Sequence, residues 1–400
     1  MKIVWISSWP PRPCGIAIYS LELVDALRKK GNEVHVVCHP DGGSPSEENI
    51  YPILDITRIG WDEEVYSIVK SLHPEIVHIQ YEDNLYMTNN DYAAGLFRPV
   101  FRWKVEENFP IVATYHSVYS KLDKRRALYI DLMQRLVDAG IVHEMPQWAN
   151  LSINLGRVMK DVYVIPHGAK DGVSVSKEEA KKSLGLKGKK IVGMIGWFTP
   201  NKGFHRVIGM WDRLSKKLGS DVYLVLAGEA RMKQPSQEKY KKKLLSLIEK
   251  CKAKDKIKVI LGSFTPEEYE KILASFDMMV MPYAFASQSG NLAHSFSLGV
   301  PAIATAVGGL KTEIETSRAG IVVPPDDDEE LERAIITLTK DDSLREKCSQ
   351  KAILYVKKKI SWSIVADKHL RLYRKLLSKK QIPERDVRFE AMLGERPLLM

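Results

Sequence analysis

One short stretch of the chain combines the residue types that bind anions. In 277–313, DMMVMPYAFASQSGNLAHSFSLGVPAIATAVGGLKTE, the apolar run Met278–Met281 leads through a loop of small residues, Ser287–Gly290. An apolar helical pattern, Leu292–Leu298, follows and stops at Gly299-Val-Pro301. A strand, a loop without bulky side chains and a helix start have the layout of a phosphate-binding turn, and Ser-Gly can equally serve only to turn the chain. The first helical amides lack intrahelical partners, and the helix dipole favours negative charge at that end. A second such turn holds Lys202 in GWFTPNKGFHRVI, between a strand and a helix. A cation there can neutralise charge that develops on a leaving group. His116 closes the run IVATYH, at a strand's carboxyl end, and Glu82 and Asp83 follow VHIQY in the same way. Carboxylates so placed can hold hydroxyls or act as a base, and they can equally cap their loop. Gly15, in SSWPPRPCGIAIY, lets backbone approach a ligand closely.

These residues need strands to carry them. Short apolar runs recur at Ile3–Ile6, Val34–Val37, Ile76–Ile79, Ile111–Thr114 and Tyr163–Ile165, with helical patterns between several of them. A second series starts at Ile191–Ile195 and runs through Val222–Leu226, Lys258–Leu261, Met278–Met281, Ala302–Thr305 and Ile321–Val323. Such alternation predicts an α/β protein of two Rossmann-like, doubly wound parallel sheets. The periodicity breaks across Pro166-His-Gly168, Lys170–Gly172 and Lys187–Lys190, which puts a domain boundary near 166–188.

Composition narrows the classes. The 400 residues suit two or three domains, and 44% hydrophobic with 28% charged residues is ordinary for a globular protein. The net charge of +10 suits polyanionic partners, although most of it falls in lysine runs beside helical apolar spacing, as at Lys239–Lys243. No nucleic-acid recognition motif accompanies it. Cys14, Cys38, Cys251 and Cys348 have neither metal-ligand nor disulfide-framework spacing, so no metal is expected and a reducing cytoplasm is the simplest home. MKIVWISSWPP reads as a first strand rather than a signal peptide, and no apolar run is long enough to span a membrane. Peripheral contact with a membrane's inner face is compatible with the charge.

The ordered pieces 10–27, 77–86, 111–118, 162–168, 196–208, 224–229, 261–283, 299–313 and 361–373 resemble the retaining glycosyltransferases of family four, over nearly the whole chain. The resemblance implies the GT-B fold, two Rossmann-like domains facing each other across a cleft. It implies an acceptor-side domain 1–168 completed by a C-terminal helix at about 362–378, a nucleotide-sugar domain 169–361, and a tail 379–400. The implied reaction is hexose transfer from a nucleoside diphosphate sugar, such as GDP-mannose, UDP-glucose or ADP-glucose, to a hydroxyl, with formation of an α-glycosidic bond. The implied acceptor is a sugar, a polyol or a lipid-linked molecule, and no further cofactor is needed.

The same resemblance assigns roles. Gly15 contacts the donor diphosphate, with Cys14, Tyr81 and Glu82 on the acceptor side. His116 supports the transition state through its main-chain carbonyl or a contact to a sugar hydroxyl. Lys202, alone or with Arg206, neutralises the leaving diphosphate, since Trp197 stands where an arginine is usual. Gly228 and Phe264 lie at donor-side turns, Phe264 beside the nucleobase, and Glu313 matches a recurring glutamate. The paired glutamates common in the family fall at Ala286 and His294, so both carboxylates are missing. Ser289, Gly290, Asn291 and Leu292 are then expected to bind phosphate and sugar by backbone amides, beside His294. The competing reading is a non-catalytic nucleotide-sugar-binding protein or partner subunit.

Overall fold

The structure, a computed structural model, describes residues 1–44, 47–86, 96–172, 175–231 and 234–380. The tail expected at 379–400 lies outside them, except for the backbone of its first two residues. The chain divides into two compact units, one formed by 1–166 with the C-terminal helix from Ser363 onward, the other by His167–Trp362.

The first unit is built on seven parallel strands. They are β1 (Lys2–Ile6), β2 (Glu33–Val37), β3 (Ile50–Tyr51), β4 (Ile76–Tyr81), β5 (Ile111–Tyr115), β6 (Ala139–Val142) and β7 (Val162–Val164). Their spatial order, β3-β2-β1-β4-β5-β6-β7, reverses direction between β1 and β4. The strands are buried on both faces, as in KIVWI and IVHIQY, because helices cover each side of a parallel sheet. The helix Gly15–Lys29 buries Tyr19, Leu23, Ala26 and Leu27. The C-terminal helix Trp362–Lys380 belongs to this unit: Tyr373 hydrogen-bonds His78 of β4, and Lys375 Nζ donates to Tyr163 Oη at 3.0 Å.

The second unit repeats the design with β8 (Lys190–Ile195), β9 (Val222–Gly228), β10 (Ile257–Leu261), β11 (Met278–Met281), β12 (Ala302–Thr305) and β13 (Gly320–Val323). Their order is β10-β9-β8-β11-β12-β13, all parallel. One core lies on each face of this sheet. Phe276, Phe296, Leu292 and Leu310 fill one, and Trp211, Phe204, Leu214 and Leu331 the other. The strand order reverses between β8 and β11. Open parallel sheets bind ligands outside the carboxyl ends of the strands at such a reversal.

Among the described residues no helix is long and apolar enough to cross a membrane, and no group of three or more His, Cys, Asp or Glu is placed to hold a metal ion.

Candidate functional site

The reversal in the second unit brings together Lys202, Gly228 and Asn291, three of the residues expected to bind the donor. β8 is followed by Gly196, where the backbone takes φ +128°, and the chain passes through Trp197 and Phe198 into the 3-10 turn Pro200–Lys202. The turn is tied to its neighbours by main-chain bonds, Phe198 N to Glu229 O at 2.8 Å and Ala284 N to Asn201 O at 2.7 Å. A Cβ on Gly196 would lie 2.4 Å from Lys202 Nζ and 2.9 Å from Asn291 Nδ2, so both side chains converge on that bare backbone. A Cβ on Gly228 would lie 2.0 Å from Gly196 O, and Gly228 itself sits at φ +151°. The ends of β8 and β9 therefore touch as only glycine permits.

Lys202 has no ion-pair partner among the described residues. Its amine stands 5.8 Å from the centroid of the Tyr283 ring. Burial, and then the positive charge of Arg231, bring its pKa down to about 8. It is a cation held where water does not fully stabilise it, ready for an anion. Asn291 donates Nδ2–H to Ile195 O at 2.9 Å, which fixes the start of the helix Gly290–Ser297 against the end of β8. Ser289 occupies the N-cap position with extended backbone and no side-chain capping bond. Leu292 is wholly buried in the core below.

His294, one turn along the same helix, has Tyr269 at 5.8 Å and His167 at 6.4 Å between ring centroids. Desolvation holds its pKa down to about 4, so it is neutral near pH 7. His167 donates Nδ1–H to Gly168 O at 2.7 Å, and its Nε2 would lie 3.1 Å from a Cβ on Gly290. Phe264 follows β10 and Gly262, half-buried against the core. Glu313 is buried on the helix Gly308–Ser317, whose Gly309 N donates to Ser287 O at 3.1 Å.

Arg206 is held by two partners, and its Nη1 donates to Pro282 O at 3.4 Å. The helix Phe204–Leu218 turns its side chain to Asp328, where Nε donates at 2.8 Å. The charge that acts on Lys202 belongs to Arg231, whose guanidinium carbon lies 5.4 Å from the centroid of the Trp197 ring.

In the first unit the reversal lies between β1 and β4. Cys14, which accepts a weak bond from Ser8 Oγ at 3.4 Å, precedes the helix at Gly15. A Cβ on Gly15 would meet nothing within 4 Å, so packing does not require glycine there. Glu82 lines a shallow cleft with Asp83, Tyr115 and Ser117. Tyr81 lines the same cleft while its ring packs against the core, stacked on Tyr86 and Tyr129, and its hydroxyl donates to Asp83 Oδ1 at 3.0 Å. Asp83 is in turn ion-paired to Arg126. Both are bracing groups, which leaves Glu82 as the carboxylate at the surface.

The His116 ring is also committed internally. Its Nε2 lies 2.8 Å from Gln80 Oε1, its Nδ1 lies 3.4 Å from His143 Nε2, and Tyr19 packs edge-on at 5.1 Å. Burial keeps it neutral. What His116 can offer a ligand is its main-chain carbonyl, which already accepts one bond from Gln147 Nε2 at 3.2 Å. Gln80, His143 and Gln147, which hold His116, carry no spacing signal, whereas Tyr19 lies on the apolar stripe of its helix with Leu23, Ala26 and Leu27. His143 follows β6, a strand too short to stand out in the sequence.

Two doubly wound parallel sheets, each with loops gathered at its reversal, define the GT-B class. Solved structures of similar fold agree. Sucrose-phosphate synthase from Thermosynechococcus elongatus has a TM-score of 0.69 at 19% identity, over 95% of this chain and 100% of that one. Anabaena Alr3699/HepE in complex with UDP-glucose has a TM-score of 0.75 at 15% identity, over 94% of this chain and 100% of that one. The family follows from sequence: the model for glycosyltransferase family 4 matches residues 13–170, and that for glycosyl transferases group 1 matches 176–354. The chain belongs to these glycosyltransferases, and is one itself. Among relatives, it is 24% identical to an alpha-D-kanosaminyltransferase of Streptomyces kanamyceticus, over 87% of this chain and 78% of that one. It is 22% identical to an uncharacterised glycosyltransferase of Methanocaldococcus jannaschii, over 94% and 98%.

Proposed function

We propose that this glycosyltransferase takes a hexose from a nucleoside diphosphate sugar and attaches it to a hydroxyl with retention, giving an α-glycosidic bond. The observation that carries the donor class is Lys202: a half-buried cation with no carboxylate partner among the described residues, at the reversal of the second sheet, beside a helix start fixed there by Asn291. A diphosphate supplies the anion that such a site lacks. The naming of UDP-glucose in the HepE complex is in keeping with this class of donor.

In the proposed reaction the bond from the sugar's anomeric carbon to the diphosphate oxygen breaks, and the acceptor oxygen bonds to that carbon on the same face. The acceptor's proton passes to the departing diphosphate, which serves as base. The protein's work is positioning and stabilisation of the leaving group. Lys202 meets the charge on the diphosphate, and the backbone amides of Gly290, Asn291 and Leu292 bind phosphate and sugar. The turns at Gly228 and Phe264 receive the nucleoside, Phe264 the base. Glu313 braces the loop at Ser287 through its helix. To His116 we assign, by its carbonyl, a contact to the sugar, and to Gly15, by its open backbone, one to the diphosphate. Cys14 and Glu82 line the acceptor side. The acceptor is a sugar, a polyol or a lipid-linked molecule, and no cofactor takes part. We place the enzyme in the cytoplasm, in contact with the membrane's inner face where the acceptor is lipid-linked.

The test is nucleotide release from UDP-, GDP- and ADP-sugars with cell-derived acceptors, for the native protein and Lys202→Ala. Release from one donor, at least tenfold slower in the variant, is expected. Donor binding with no release or product for any acceptor would support the non-catalytic reading that the residues Ala286 and His294 raise.

A further inference from the structure

We propose that Arg231, held over the Trp197 indole, is the second cation of this anion site and shares the donor's diphosphate with Lys202. The inference rests on the donor class proposed above. Its starting point is a pair of positive groups, neither of which has an ion-pair partner among the described residues.

Arg231 follows β9, and its own amide donates to Gln237 Oε1 at 3.0 Å, which fixes the backbone from which the side chain reaches. The guanidinium lies 5.4 Å from the Trp197 ring centroid, in the turn that also carries Lys202. Planar guanidinium stacks on an aromatic face while its N–H groups remain free to bond at their edges. No carboxylate pairs with Arg231 among the described residues. Glu229, two positions away, is instead ion-paired to Lys241 and accepts from Ala230 N at 2.8 Å.

Lys202 likewise has no carboxylate partner among the described residues, and Arg231 is the charged neighbour that lowers its proton affinity beyond the effect of burial. Like charges held together raise the energy of the free protein. A bridging anion reverses the sign of that interaction. A diphosphate, with charge on both phosphates, satisfies two separated cations in a way that a monophosphate does not. Arg231 on its aromatic platform thus selects the diphosphate.

The experiment is calorimetric titration of UDP, GDP and ADP, and of the matching monophosphates, into the full chain and into Arg231→Gln, Arg231→Lys and Trp197→Ala, from pH 7 to pH 9. The expected result for Arg231→Gln is about a tenfold loss of diphosphate affinity, with the monophosphate changed less. The alkaline fall in its affinity should move to higher pH, since Lys202 no longer has a cation beside it. Arg231→Lys should keep most of the affinity, and Trp197→Ala, which removes the platform but not the charge, should lie between. A melting temperature equal to the native protein's separates lost binding from lost folding. Diphosphate affinity and pH profile unchanged in Arg231→Gln would overturn the inference alone. Failure of the native protein to bind any nucleoside diphosphate would overturn the donor reading and the inference with it.

Discussion

Replacing Lys202 by methionine should make the empty protein more stable and the enzyme inactive. The pKa of Lys202 falls from an ordinary 10.5 to about 8, chiefly through burial. At about 1.4 kcal/mol per unit, that is a cost of roughly 3 kcal/mol for keeping the amine charged, and partial contact with solvent lowers it to about 1–3 kcal/mol. The sign follows from proton binding. A folded pKa below the unfolded one means that the unfolded chain holds more protons between pH 8 and 10.5, so stability rises with pH across that window. Below pH 8 the cost is present in full; above 10.5 it is gone. Methionine keeps the stem and removes the charge. Urea unfolding without nucleotide should therefore show Lys202→Met more stable by about 1–3 kcal/mol at pH 7, with the gain shrinking toward pH 10. The same variant should lose at least about tenfold in kcat/KM for the donor. In the native enzyme kcat/KM should fall about tenfold from pH 7 to pH 9, as the free enzyme's Lys202 loses its proton. A variant less stable than the native protein at pH 7, or a gain that does not shrink with pH, would refute the claim that Lys202 is a desolvated cation.

Three further outcomes follow from the geometry. Gly228→Ala forces a Cβ onto Gly196 O at 2.0 Å from a backbone at φ +151°, and should lower stability by about 3 kcal/mol or more in urea unfolding; a change under about 0.5 kcal/mol would mean that the strand ends do not touch. Gly15→Ala, where a Cβ meets nothing within 4 Å, should leave the melting temperature unchanged yet weaken donor or acceptor use severalfold in kcat/KM, and normal kinetics would remove Gly15 from the site. His294 and His369, both held down to about 4 by burial, take up protons only on unfolding between pH 6.5 and 4. Stability should fall across that window by on the order of 5 kcal/mol for the two together, and His294→Gln should flatten part of the fall.

The strands were legible because both faces of a parallel sheet are buried and each strand becomes a short apolar run, as with Met278–Met281 or Ile111–Thr114. Two strands of the first sheet were not. Ile50–Tyr51 is only a dipeptide, and Ala139–Val142 carries Gly140 between Asp138 and His143, so it has no distinctive pattern. Glycines and a lysine beside a strand end marked the turns at Gly196–Lys202 and Ser287–Gly290, since those positions depend on local backbone chemistry. Contacts formed by folding left no such mark. Arg206 stands close to Lys202 along the chain, but the helix carries its side chain to Asp328; Arg231 is remote in sequence and reaches Trp197 only because β8 and β9 are adjacent. Tyr81 follows the same logic in the first unit. The family resemblance put it on the acceptor side, and its stacking with Tyr86 and Tyr129 at the wall of the cleft that Glu82 lines is a contact that only folding creates.

Amide hydrogen exchange with and without a nucleoside diphosphate sugar, read by mass spectrometry, tests the site most directly. The donor that supports release should slow exchange in peptides covering Gly196–Lys202 and Ser287–Leu292, and Lys202→Ala should abolish that protection. Binding of the same donor with these two segments unchanged, and protection elsewhere in the second unit, would contradict the placement of the diphosphate at the reversal between β8 and β11.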